Sequence, residues 1–336
     1  MPSFPRKTLA VGSAGHTYDY ICIKPTVTTP SKSAIVFFHG FPAIADIWSR
    51  QIKYFADLGH TVIAPDLLGF GGSSKPHAVE EYTSWTAVED IVGILDAEGL
   101  EKVHGVGHDA GAYFLSRLYN YHPGRLYSLT FLSVPYSAPG VHYDLDAISA
   151  ILEKFIGFDK LGYMRFLASS DSPRLIGDHL ESFLSIAYHE DMDVRSEHFY
   201  PPGKLQAWLK ADRVDHSLVL HDEDKENLIG SFRKGDWVAA TNGYRLMAEN
   251  LNEEREKADI ADGKLATTIK VPVLGIDSQA DKTSLSGSMQ KGVSQFLDDE
   301  SLGTFVTVPS QGHYPHVVSA VEVNGAIKSL VESIDA

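Results

Sequence analysis

The sequence predicts an α/β fold: a mostly parallel central sheet with helices on both faces, interrupted by an inserted helical segment. Three observations predict it. Short apolar runs bounded by Gly and Pro alternate with helical stripes from Thr8 to Val134. A Gly107-His108-Asp109-Ala110-Gly111 turn joins one such run to one such helix. From about Pro135 the β-branched runs give way to helical ones, and they resume at Val271.

Thr8–Val11 and Thr17–Ile23 alternate in polarity around the turn Gly12–Gly15 and read as an antiparallel hairpin. Ala34–Phe38 is continuously apolar, as a strand buried on both faces must be. Trp48–Leu58 places Trp48, Ile52 and Phe55 at helical spacing, and Gly59 closes it. Thr61–Ala64 is a further buried strand, ended by Pro65. Ala87–Leu95 sets Val88, Ile91, Ile94 and Leu95 on one helical stripe. Val103–Val106 reads as strand, Ala110–Tyr121 as helix and Leu129–Val134 as strand. Residues 137–255 are rich in aromatics and helical runs such as Leu180–Tyr188 and Trp237–Leu251. This predicts a helical cap at 137–255 on a core formed by 1–136 and 256–336. Glu253–Lys264 reads as a charged return linker. Val271–Ile276 and Thr304–Val308 resume the buried strands, and Ala320–Ile334 is the last helix.

Composition narrows the function classes. The formal net charge of −15 argues against nucleic acid or an anionic membrane as partner. Cys22 is the single cysteine, which rules out an intramolecular disulfide and gives secretion no support. Arg6 and Lys7 are not followed by an apolar h-region, and no run of 18 apolar residues occurs. The expectation is a cytoplasmic enzyme.

The turn at 107–111 has the pattern small–x–nucleophile–x–small. A nucleophile at so sharp a corner sits at strained backbone angles, so its neighbours must be small, and Gly107 and Gly111 are. The following helix aims its N-terminal amides at the site and favours an anion there. Taken alone, the five residues also fit an ordinary loop with a helix-capping Asp. Three further features separate the readings. His39-Gly40-Phe41-Pro42 follows the strand Ala34–Phe38. Asp66 to Ser74, ending in Lys75-Pro76, follows the next strand. Gly312-His313 comes just past Thr304–Val308, so the chain order is nucleophile, acid, His.

These four motifs together resemble the soluble epoxide hydrolase branch of the α/β-hydrolase fold superfamily, and with the strand order they cover nearly the whole core. The segment 137–255 resembles that family's helical cap more weakly. The resemblance implies an α/β-hydrolase fold and an oxyanion hole made by the backbone N–H groups of Phe41 and Ala110. It also implies no cofactor, no metal, and a small-molecule epoxide and water as reactants.

The residue type at 109 carries its own chemistry. A carboxylate attacking an ester would form a mixed anhydride. At a saturated carbon it forms an alkyl ester, which water can hydrolyse at the Asp109 carbonyl, whereas a Ser would leave an inert ether. Asp109 therefore points to epoxides and alkyl halides. His313 is the expected base for the hydrolytic water. His316 competes, but the Gly-His pair and its place after the last strand favour His313. His39 and His108 are read as structural. Two carboxylates, Asp277 and Asp281, follow the strand Val271–Ile276 and are available to orient His313; the family pattern falls on Asp281, while Asp277 sits at the strand end.

An epoxide's departing alkoxide needs a proton donor. In the family two cap tyrosines face the nucleophile. Asn242-Gly243-Tyr244-Arg245 resembles the second tyrosine segment. Leu161–Phe166 resembles the first, with the spacing to the following Phe off by one, and gives Tyr163. The alternative is a hydrolytic haloalkane or haloacid dehalogenase using the same Asp109. The groups such enzymes place after the nucleophile are replaced here by Ala110 and Tyr113, and their cap His-Trp pair by Tyr163-Met164. Ala110, where many epoxide hydrolases carry Trp, predicts a larger or differently shaped pocket. A second alternative, a non-catalytic ligand-binding relative, would show a damaged triad. The sequence leaves the oligomeric state open.

Overall fold

The computed structural model describes residues 4–25, 32–279, 287–310 and 312–336. The hairpin forms as expected from β1 (Arg6–Val11) and β2 (His16–Ile23). The next elements are β3 (Ala34–Phe38), α1 (Ser49–Asp57), β4 (Val62–Pro65), α2 (Ser84–Ala97), β5 (Val103–His108), α3 (Ala110–Tyr121) and β6 (Leu126–Leu132). Among the described residues, nine helices lie between β6 and β7. They are α4 (Leu145–Ile156), α5 (Gly162–Ala168), α6 (Ser172–Asp178), α7 (Leu180–Ala187), α8 (Met192–His198), α9 (Lys204–Lys210), α10 (Asp222–Arg233), α11 (Trp237–Ala248) and α12 (Glu253–Ala261). The chain then runs through β7 (Val273–Ser278), α13 (Ser288–Ser294), β8 (Gly303–Val308), α14 (Pro315–Val318) and α15 (Ala320–Asp335).

The eight strands form one sheet in the order β1-β2-β4-β3-β5-β6-β7-β8. The hairpin joins through antiparallel β2–β4 pairing, and from β4 to β8 all pairs are parallel. Both faces are covered. Ile35 and Phe37 of β3 enter a core with α1, α15 and helices of the insertion. Ala34, Val36 and Phe38 enter the opposite core with α2 and α3. This is why β3 is apolar at every position rather than alternating. β5 lies near the middle of the sheet, and its C-terminal end carries the Gly107–Gly111 turn.

The segment read as a return linker is instead mostly the helix α12. Its buried side chains are Glu256 and Asp259, held by Arg117, Arg255 and Lys264 rather than by an apolar stripe. Hydrophobic periodicity does not register a helix that buries charges. Among the described residues no helix is long and apolar enough to cross a membrane.

The helices of the insertion rest on the ends of the core strands. Asn242 of α11 donates to the carbonyls of Pro76 (3.3 Å) and His77 (3.2 Å). Asp236 caps α11 by accepting from Val238 N and Ala239 N, and its other oxygen meets His77 at 2.6 Å. Tyr188 donates to the carbonyl of Pro42, and Tyr314 donates to that of Ala187 at 3.3 Å. The insertion is thereby pinned to the three loops that the sequence singled out around the 107–111 turn.

Candidate active site

Asp109 sits between β5 and α3 with φ 54° and ψ −122°. This is a sparsely populated region for an L-residue and persists only where the surroundings enforce it. A Cβ on Gly107 would lie 2.5 Å from the Gly111 carbonyl oxygen, and one on Gly111 would lie 2.1 Å from that of Phe38. A Cβ on Gly40 would meet the Asp109 Cβ at 2.5 Å. All three glycines are needed so that the corner can close.

The carboxylate is held by two different elements. Phe41 N donates to Asp109 Oδ1 at 3.0 Å. His313 Nε2 lies 3.2 Å from Asp109 Oδ2. The Asp109 side chain keeps 19% of its surface accessible. Enclosure by itself would raise its pKa. The His313 hydrogen bond and charge, the nearby His108 and the Phe41 amide outweigh that and hold it down at about 2. The group is therefore ionised throughout the neutral range. Ala110 is the first residue of α3, so its N–H has no acceptor within the helix. Its side chain is exposed beside Asp109.

The loop bearing His313 is fixed through its main chain. His108 Nε2 donates to the His313 carbonyl at 2.7 Å, and Ser133 Oγ donates to the same oxygen at 3.0 Å. His39 bridges two loops, donating from Nδ1 to the Gly40 carbonyl (2.9 Å) and accepting from Leu67 N at Nε2 (2.9 Å). Burial, partly offset by that carbonyl, drops its pKa to about 4, so it stays neutral. His316 is fully buried between Trp48 and His108, with ring centroids 4.3 and 4.4 Å away. It makes no hydrogen bond to Asp109, and burial beside His108 and His313 holds it well below the ordinary imidazole range. Geometry thus brings His313, and not His316, to the carboxylate.

The two tyrosines pack against one another beside Phe41, whose N–H binds Asp109. Tyr244 of α11 packs edge-on against Phe41, 5.0 Å between centroids, and Tyr163 of α5 packs edge-on against Tyr244 at 6.3 Å. Burial, together with Tyr163 and Asp109, raises the Tyr244 phenol well above its ordinary value, so it keeps its proton. Asp281 lies outside the described residues. Asp277 is half-buried at the end of β7.

Three residues near the site carry no sequence motif. Arg195 of α8 is buried with its guanidinium over Phe199, Tyr200 and Tyr314, 5.3, 5.3 and 5.8 Å from the ring centroids. Tyr188 and Tyr314 stack at 4.6 Å and bind the insertion to the loop of His313. An Arg amid aromatics at 188–200 is the only hint in the sequence, and it does not say which layer the residue faces. A cleft of about 650 Å³ elsewhere, lined by His60, Lys102, Tyr127 and Asp335 among others, has no part in this constellation.

Residues 33–243 match the family model described as alpha/beta hydrolase fold. Epoxide hydrolase A of Mycobacterium tuberculosis is 31% identical over 266 residues, covering 75% of this chain and 76% of that protein. Epoxide hydrolase 3 of Siraitia grosvenorii is 39% identical over 216 residues, 63% of this chain and 65% of that one, just under two thirds of its length. Among solved structures, Epoxide Hydrolase A from Mycobacterium thermoresistibile superposes with a TM-score of 0.77 at 23% identity, covering 98% of each chain. Potato epoxide hydrolase I gives a TM-score of 0.77 at 21% identity over 98% of this chain and all (100%) of that one, likewise a likeness of fold. On this matched sequence and the shared architecture, the chain belongs to the α/β-hydrolase fold family, in the branch of the epoxide hydrolases.

Proposed function

We propose that this protein opens an epoxide on Asp109 and hydrolyses the resulting ester to a vicinal diol. The observation that carries the reading is the carboxylate at the strained corner, one oxygen on the Phe41 amide and the other on His313. In the first step the ionised Asp109 attacks an epoxide carbon and the ring C–O bond breaks. The alkoxide takes a proton from Tyr244 or Tyr163, leaving a hydroxyalkyl ester. In the second step His313 removes a proton from water, which adds to the Asp109 carbonyl carbon. The N–H groups of Phe41 and Ala110 hold the oxyanion. The diol oxygen leaves with the proton held by His313, and the second proton of the water, left on the Asp109 carboxyl, passes to the phenolate, so that Asp109 and the phenol are both restored. Asp281 is the acid assigned to orient His313. The segment 137–255 acts as a cap that brings the phenols to the core. The reactants are a small-molecule epoxide and water, in a cytoplasmic setting with which the single buried thiol Cys22 agrees.

The dehalogenase reading has less support. Tyr113 accepts from Asn252 at 2.9 Å and lies under Arg117, so its hydroxyl is engaged away from the nucleophile. Single turnover in ¹⁸O-water with enzyme in excess tests the mechanism. The first diol should be unlabelled, its new oxygen coming from Asp109. A solvent-labelled first diol would mean direct attack by water.

A further inference from the structure

The cap leaves the core at 133–144 and returns at 249–256, and one buried ion pair holds both crossings. Arg117 and Glu256 are each 1% exposed. Arg117 Nε donates to Glu256 Oε1 at 2.6 Å. Its Nη1 donates to the Ser137 carbonyl at 2.6 Å and its Nη2 to the Ala138 carbonyl at 3.1 Å, both on the outgoing crossing. Glu256, on the returning crossing, accepts from Gly140 N at 2.7 Å and from Ser84 Oγ of α2 at 2.8 Å. The Tyr113 ring lies 4.4 Å beneath the guanidinium, and the Tyr113 hydroxyl accepts from Asn252. Asn252 in turn accepts from Ser84 N at 3.1 Å.

Two features make this more than a stabilising contact. Arg117 and Tyr113 stand on α3, the helix whose first residue follows Asp109, so the clasp and the nucleophile share one rigid element. The guanidinium is planar, and its donors reach acceptors on both crossings at once, which fixes direction as well as distance. A single cation on the nucleophile's helix thereby sets the tilt of both cap connections.

We propose that Arg117 and Glu256 are positioning residues that hold the cap tyrosines in register with Asp109 for ring opening. The proposal rests on the epoxide hydrolase reading above. Ring opening needs groups from both layers, Asp109 from the core and Tyr163 and Tyr244 from the cap. Ester hydrolysis uses His313 and the Phe41 and Ala110 amides, all in the core. Loosening the clasp should therefore slow one half-reaction and spare the other.

The test compares Arg117→Lys, Glu256→Gln and the milder Tyr113→Phe with the wild type in the full chain. Rapid quench and intact mass measure alkylation and ester hydrolysis separately, using styrene oxide as the probe. Alkylation should fall by about 10- to 100-fold in Arg117→Lys and Glu256→Gln, as expected for reacting groups displaced by an ångström or less. The fall should be smaller in Tyr113→Phe, and hydrolysis of the ester should stay within about twofold in all three. Tyr113→Phe keeps both charges paired, so it provides the readout if the charge variants do not fold. Equal losses in both rate constants, or unchanged alkylation in folded variants, would overturn the clasp while leaving the epoxide reading intact. No covalent adduct from the wild type with any epoxide would overturn the reading and the clasp together.

Discussion

Replacing His313 with Gln should separate the half-reactions, and the geometry sets how far. His313 touches Asp109 Oδ2 at 3.2 Å and is the foremost group opposing burial in keeping that carboxyl at about 2. Without it, burial acts with less opposition and the Asp109 pKa rises, while His108 and the Phe41 amide still hold it down. Asp109 needs no base in order to attack, so alkylation should persist at neutral pH. Its acid limb should move to higher pH, because a raised pKa protonates the nucleophile sooner as pH falls. Loss of the general base should slow ester hydrolysis by about 10²- to 10⁴-fold. The variant should then accumulate one ester per chain, with mass raised by a whole substrate since ring opening expels nothing. Intact mass after substrate addition, with peptide mapping, should place the adduct on Asp109. His316→Gln should turn over without accumulating an adduct. No adduct in His313→Gln, or an adduct in His316→Gln instead, would refute the assignment of the base.

Tyr244→Phe and Tyr163→Phe should each slow ring opening on the order of 10²-fold, and the double change should nearly abolish it, measured as the alkylation rate. Gly111→Ala would drive a Cβ to 2.1 Å from the Phe38 carbonyl, and should cost about 1–3 kcal/mol or prevent folding, read from denaturant unfolding. A stable variant would contradict that close approach. At Glu98, burial acts upward, but hydrogen bonds from Lys7, Tyr20 and Lys24 prevail and hold the pKa at about 2. Its contribution to stability is therefore full above the unfolded value near 4.5 and is lost as pH falls toward 2. Glu98→Gln should flatten the stability profile across that window, measured by urea midpoints at successive pH values.

The parts of this molecule that were legible in the sequence are those encoded by neighbours along the chain. β3 shows as an apolar run, and the corner at Asp109 shows because its glycines stand two residues to either side. The pairing of Phe41 N with Asp109 follows from two such local motifs once the strand order is known. What joins distant segments left no local trace. Arg117 reads as an ordinary charge on a helix and Glu256 as one charge of a linker until the fold brings them together, and α12 escapes hydrophobic periodicity because its buried residues, Glu256 and Asp259, are acidic. The stacking of Tyr188 on Tyr314 depends on how the insertion settles on the core, which no periodicity encodes.

The clamp on the His313 carbonyl has a consequence for motion. Donors from His108 and Ser133 grip the main chain of His313, so its position is tied to the strand ends that flank Asp109. Tyr163 and Tyr244 stand on α5 and α11 of the insertion, so their distance from Asp109 depends on how that layer sits against the sheet. On the proposed mechanism, ester hydrolysis would be insulated from shifts of that layer, whereas ring opening would require the two layers in register.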